Sequence, residues 1–136
     1  MNIFENLINI NYQNNSGITG ITDEFFCVYL YELLKKQNKN ILVVVNSLYE
    51  ANKIYSSLNN YTDDVFLFPM DDFLTSEAIA ISPDLLISRM ETIKNINSSV
   101  PKIIITNLMG YLRFLPTPEF YRDSIINISV RMSIEP

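Results

Sequence analysis

The apolar positions of this chain change their period as it proceeds, and the changes mark its elements. From Phe25 the apolar side chains Phe26, Tyr29, Leu30, Leu33 and Leu34 recur three or four residues apart, which predicts an amphipathic helix closing at Lys35-Lys36. Ile41–Val45 is an unbroken apolar run rich in β-branched residues and reads as a strand covered on both faces. Ser47 and Glu50 then make a capping box, because hydroxyl and carboxylate each satisfy a backbone N–H that a helix start leaves without a partner. The helix they open carries Leu48, Ala51, Ile54, Tyr55 and Leu58 on its apolar stripe.

Val65–Phe68 predicts a second buried strand, ended by Pro69, and Ile103–Thr106 a third. Between them Ser82-Pro83-Asp84 is a helix start, with proline at the first helical position and an acid in the first turn, and Leu86, Met90 and Ile93 follow as its stripe. A short helical stretch around Leu108–Leu115 comes next, and Thr117-Pro118-Glu119 repeats the start signal. Near the N-terminus, residues 3–10 read as a short helix with Phe4, Leu7 and Ile8 on one face, followed by a polar connection over Asn11–Ser16. Strands alternating with helices imply an α/β domain: a three-layer parallel sheet with helices on both faces. Residues 1–123 form that domain, and the loosely alternating 124–136 reads as a strand or linker leading to a further domain, as if this were a piece of a longer protein.

Composition narrows the function. At 136 residues with 48% hydrophobic and 18% charged content, the chain is of globular type and long enough to bury a core. Its net charge of −5 argues for weak or no DNA binding by the chain alone, since phosphate contact needs clustered Lys and Arg, and the isolated chain is expected to be a monomer. The basic cluster Lys35, Lys36 and Lys39 falls where a helix ends and complements the helix dipole there. There is no His, which removes Ser-His-Asp chemistry and most zinc sites, and the single Cys27 among apolar neighbours reads as a buried, inert thiol. No basic region with an apolar run opens the chain and no apolar stretch reaches membrane length, so the expected location is cytoplasmic.

The segment Gly17-Ile18-Thr19-Gly20-Ile21-Thr22-Asp23-Glu24 carries most of the functional information. It occupies the position of a P-loop, between an expected first strand and the first long helix. A working loop, G-x-x-x-x-G-K-[ST], wraps phosphates in backbone N–H groups, reaches them with Lys and holds Mg²⁺ through Ser or Thr. Gly17 matches the first glycine, while Thr22 replaces the second, Asp23 the lysine and Glu24 the hydroxyl residue. Exchanging Lys for Asp turns attraction into repulsion beside a polyanion. Two carboxylates in the first helical turn also leave the positive end of the dipole already supplied with negative charge. Read as a phosphate loop, the segment is one that no longer works, and no cofactor or metal is expected here. The same residues also read as an ordinary turn into a helix with Thr22 as its N-cap.

Other motifs extend the pattern: Asn46-Ser47-Leu48-Tyr49-Glu50-Ala51 after the first strand, Phe68-Pro69-Met70-Asp71-Asp72, Arg89-Met90-Glu91-Thr92-Ile93, and Leu112-Arg113-Phe114-Leu115-Pro116-Thr117-Pro118-Glu119. In this order, with Gly17–Gly20, they resemble the N-terminal, UvrB-like module of bacterial transcription-repair coupling factors. The resemblance implies a fold class of P-loop NTPase type, like the first domain of RecA or UvrB, without a working phosphate loop. For the whole protein it implies a DNA translocase that displaces stalled RNA polymerase and recruits UvrA. ATP and Mg would be handled by separate motor domains, the UvrB-like module having lost its own ATPase. The UvrA-binding surface of that family lies mainly in a small domain beyond this chain's last residue, so its contacts cannot be placed here.

Two other functions compete with a non-catalytic scaffold. An active UvrB-like or helicase motor domain would bind ATP, which residues 22–24 oppose, and a receiver-like domain would be phosphorylated on Asp71 or Asp72. Asp71-Asp72, which could also pair on Mg²⁺, read more simply as a solvated loop or helix start, Asp63-Asp64 as a solvated turn, and Tyr111, Phe114, Phe120 and Tyr121 as packing at a core or a domain junction rather than stacking on bases. Arg89 and Arg113 read as surface or inter-domain ion pairs rather than contacts to DNA phosphate.

Overall fold

The computed structural model describes residues 17–72, 82–96 and 98–126. The helix expected over 3–10, a strand ahead of the phosphate-loop segment and most of the 124–136 segment lie outside the described residues.

Within them the order is α1 (Asp23–Gln37), β1 (Ile41–Val45), α2 (Leu48–Leu58), β2 (Val65–Leu67), α3 (Pro83–Ile96), β3 (Ile103–Asn107), α4 (Leu108–Leu112) and α5 (Pro118–Asp123). The three strands form a parallel sheet ordered β1-β3-β2. Ile103 is in register with Ile41 on one side and Val65 on the other. Crossovers through helices are what parallel strands require, and each strand–helix alternation here supplies one.

The helix boundaries follow local chemistry. Ser47 accepts the Glu50 amide at 3.2 Å, while the Glu50 carboxylate reaches back to the amide of Asn46 at 3.1 Å, one residue beyond the usual box partner. Thr117 accepts the Phe120 amide at 3.3 Å ahead of Pro118. Lys35 and Lys36 occupy the last turn of α1, and Asn38 closes it in the left-handed conformation at φ 51°, its amide bonded to the Leu34 carbonyl.

Among the described residues the main hydrophobic cluster lies on one face of the sheet. Cys27, Leu30 and Leu34 of α1, Ala51 and Leu58 of α2, Val43, Val65, Ile103 and Ile105 form the core on one face of the sheet. Cys27 is buried as expected, and burial raises its thiol pKa, chiefly by withholding water from the thiolate. α3 and α4 border the other face without closing over it. Leu42 is 54% exposed and Val44 42%, so among the described residues β1 is not covered on both faces as its apolar run predicts. β3, flanked on both sides, is the strand that is buried throughout. A continuous apolar run is thus matched by full burial at the centre of the sheet and by half-burial at its edge.

Candidate functional site

Gly17 to Gly20 run exposed and without regular structure toward α1, and Gly20 has φ +77°, which glycine adopts without strain. Thr22 ends this stretch as the N-cap: its Oγ1 accepts the Phe25 amide at 3.3 Å and its carbonyl the Phe26 amide at 2.9 Å. One of the donors that would face a phosphate at the helix start, the Phe25 amide, is therefore used by the threonine hydroxyl, while the Phe26 bond is the first regular turn of the helix. Asp23 reaches across to α2 and forms an ion pair with Lys53 at 2.5 Å. That hydrogen bond holds the Lys53 ammonium pKa above its ordinary value, with the charge of Asp23 next and Glu24 adding weakly. Both partners are exposed, so the pair adds little stability, yet it occupies a lysine close to the helix start.

Thr22→Ala is expected to cost about 1 kcal/mol, the usual effect of losing a helix cap. Urea unfolding checks this, as a lowered midpoint with an unchanged slope.

A second constellation sits where the strands end, the position at which open parallel sheets generally present ligand crevices. Asn107, at the end of β3 and fully buried, is its hub. The side-chain oxygen accepts the amides of Met70 at 3.0 Å and Gly110 at 3.3 Å. Its Nδ2 donates to the Met70 carbonyl and to Asp72 Oδ1, both at 2.7 Å. Both Asp72 oxygens accept the Leu48 amide at 2.9 Å, so a carboxylate 24 residues away in sequence caps the start of α2. Thr106 Oγ1 donates to the Phe68 carbonyl at 2.7 Å, Thr92 Oγ1 to that of Leu67 at 2.8 Å, and Arg89 Nη1 to that of Pro69 at 3.2 Å.

Two sequence expectations change here. Asp72, though exposed, is not a free solvated acid, because its oxygens are engaged by a backbone amide and an amide side chain. Arg89 is not a surface ion pair: it is 8% exposed, stacked 4.0 Å over the Phe68 ring, and forms no ion pair with a carboxylate among the described residues. Asn107 escaped sequence reasoning altogether. The available signal was an Asn at the end of a β-branched run, three residues before a glycine, the spacing of an N-cap. The described residues hold no group of three or more His, Cys, Asp or Glu able to bind a metal, and no helix among them is long and apolar enough to cross a membrane.

Geometry alone leaves the protein's kin open; comparison with known proteins narrows it. A transcription-repair-coupling factor of Staphylococcus epidermidis is 28% identical over 136 residues, 98% of this chain. The chain is similar to transcription-repair-coupling factors over nearly its full length. Those of Bacillus subtilis and Staphylococcus haemolyticus are 27% identical over 121 residues and 26% over 134, covering 88% and 97% of it. The resemblance drawn from the ordered motifs is thus met by these relatives. This chain spans only 12%, 10% and 12% of their respective lengths. No family model matches it, and no solved structure does.

Proposed function

We propose that this chain is the N-terminal, UvrB-like module of a transcription-repair coupling factor, and that it acts as a scaffold with a vestigial phosphate loop. The observation that carries the reading is similarity to such factors across 98% of the chain. The loop geometry supports the vestigial part. Thr22 Oγ1 takes up the Phe25 amide at the helix start, and Asp23, at the place of a P-loop lysine, engages Lys53. In this reading ATP hydrolysis with Mg belongs to other domains of the whole protein. RNA polymerase, UvrA and DNA are partners of that whole, with at most weak DNA binding by this module.

Calorimetry with Mg-ATP is expected to give no heat of binding up to millimolar ligand, and thermal unfolding no shift. Ligand at 100 times its dissociation constant would stabilise the fold by about 2.7 kcal/mol, so even modest binding would raise the midpoint visibly. The triple change Thr22→Gly, Asp23→Lys and Glu24→Thr restores the loop pattern and breaks the ion pair with Lys53. It is expected to recover some phosphate affinity without hydrolysis. An ATP-dependent rise in the unmodified chain would overturn the scaffold reading in favour of an active motor domain.

A further inference from the structure

Arg89 is buried, and no carboxylate among the described residues forms an ion pair with it. Burial first, and the charge of Arg113 second, pull its pKa below the ordinary arginine value, so the guanidinium sits where its charge is disfavoured. Its place along β2 supplies a reason. Among the described residues β2 is an edge strand of three residues, paired with β3 on one side. The Asp64 carbonyl accepts the Ile103 amide at 2.9 Å, and the Phe68 amide donates to the Ile105 carbonyl at 2.7 Å. Backbone groups alternate in direction along an extended chain, so Val65, Leu67 and Pro69 turn theirs away from β3, toward the place of a next strand. A row of this kind, left open, is a template for pairing with another chain.

The row is covered from α3, the helix that follows β2 in this order of elements. Thr92 Oγ1 lies 2.8 Å from the Leu67 carbonyl; its other contact, the Ser88 carbonyl of its own helix, is at 2.9 Å. Arg89, three residues earlier and so on the same face of α3, donates from Nη1 to the Pro69 carbonyl at 3.2 Å while its guanidinium stacks over the Phe68 ring. Two successive outward carbonyls, Leu67 and Pro69, are thus each met by one side chain of the helix. Pro69 has no N–H to offer a further strand and is itself fully buried. Beside the remainder of the strand lies a notch of about 190 Å³ between α2 and α3. Its lining includes Asp63 and Glu91, both exposed, so an incoming strand would meet carboxylates there.

We propose that Thr92 and Arg89 form a lock on the outer edge of β2, which closes that edge to strand addition by another chain. In this role the buried arginine serves a backbone carbonyl in place of a carboxylate, and Thr92 covers the one before it. The device is built from a helix and the strand just ahead of it, so it does not depend on the phosphate loop or on the strand-end hub around Asn107.

The test compares variants of the intact chain at equal folded fraction, following self-association by sedimentation velocity and thioflavin T fluorescence, with amide exchange locating the contact. Thr92→Val with Arg89→Met removes both donors and keeps their apolar bulk. It is expected to associate about tenfold faster than the unmodified chain, the size of effect that freeing one or two hydrogen-bonded carbonyls gives. In the associated form the amides of Val65 and Leu67 are expected to become protected. Thr92→Ser keeps the hydroxyl and should behave as the unmodified chain does. Leu58→Ala, in the core on the far face, loosens the fold without touching this edge, and so separates release of the lock from general destabilisation. Should the double variant not fold, Thr92→Val alone carries the same expectations at a smaller size. Association no faster than that of Leu58→Ala at the same folded fraction would overturn the proposal, and so would association that leaves Val65 and Leu67 exchanging freely.

Discussion

Replacing Asn107 by Leu is expected to destabilise the domain by about 3–5 kcal/mol, more than any other single side-chain change in the strand-end rim. The two side chains are close in volume, so the loss is not one of packing. It comes from the groups left behind: the Met70 amide and carbonyl, the Gly110 amide, and one of the Asp72 interactions. Met70 and Gly110 are buried, so their backbone groups cannot turn to water instead. Each buried polar group deprived of its partner costs about 1–3 kcal/mol. Asp72→Ala, which removes only the exposed end of the same network, should cost about 1 kcal/mol, as the loss of a cap on α2 does. Urea unfolding of the two variants separates them. Equal losses would show that Asn107 matters only through Asp72.

Gly110→Ala is expected to cost about 2–3 kcal/mol despite adding the residue that helices favour most. A Cβ at this position would press on Thr106 Oγ1 and lie 2.9 Å from the Phe68 carbonyl oxygen and 3.0 Å from Asn107 Oδ1. The Phe68 carbonyl is backbone and is held by Thr106, so it cannot step aside without releasing that bond. The gain in helix propensity is about 1 kcal/mol, smaller than the cost of forcing apart three fixed oxygens. Thr106→Ala with Gly110→Ala tests the cause. It removes the hydroxyl beside the added methyl but keeps the backbone contact, so it should not restore stability. Full rescue would show that the hydroxyl alone was the obstacle.

What the sequence makes legible here is local. The capping serine at 47 and threonines at 22 and 117, the proline-marked starts at 83 and 118, and the strands beginning at Ile41, Val65 and Ile103 all stand where pattern and turn chemistry put them. Each depends on neighbours a few residues away. Strand order is not local, and without it nothing in Ile41–Val45 says that this run lies at an edge with Leu42 and Val44 outward while Ile103–Asn107 lies at the centre. The same limit hid Asp72 as the cap of α2 and the burial of Arg89, because the partners of both are brought together only by the crossovers. In the loop, the unusual acids were plain from residue identity, but that Lys53 is the cation Asp23 engages depends on α1 lying beside α2.

The order β1-β3-β2 has a consequence for the chain as it is made. Among the described residues β1 and β2 do not pair with each other; each pairs only with β3, which is the last of the three to be synthesised. Until Ile103 has left the ribosome no rung between these three strands can exist, however well α1 and α2 have formed. Two strands with open hydrogen-bonding edges must wait through the synthesis of everything between Val65 and Ile103. The sheet is then completed in one step, by inserting a strand between two others rather than by adding one to an edge. A nascent chain stalled before residue 103 would be a helical precursor with no sheet, and so a substrate for chaperones.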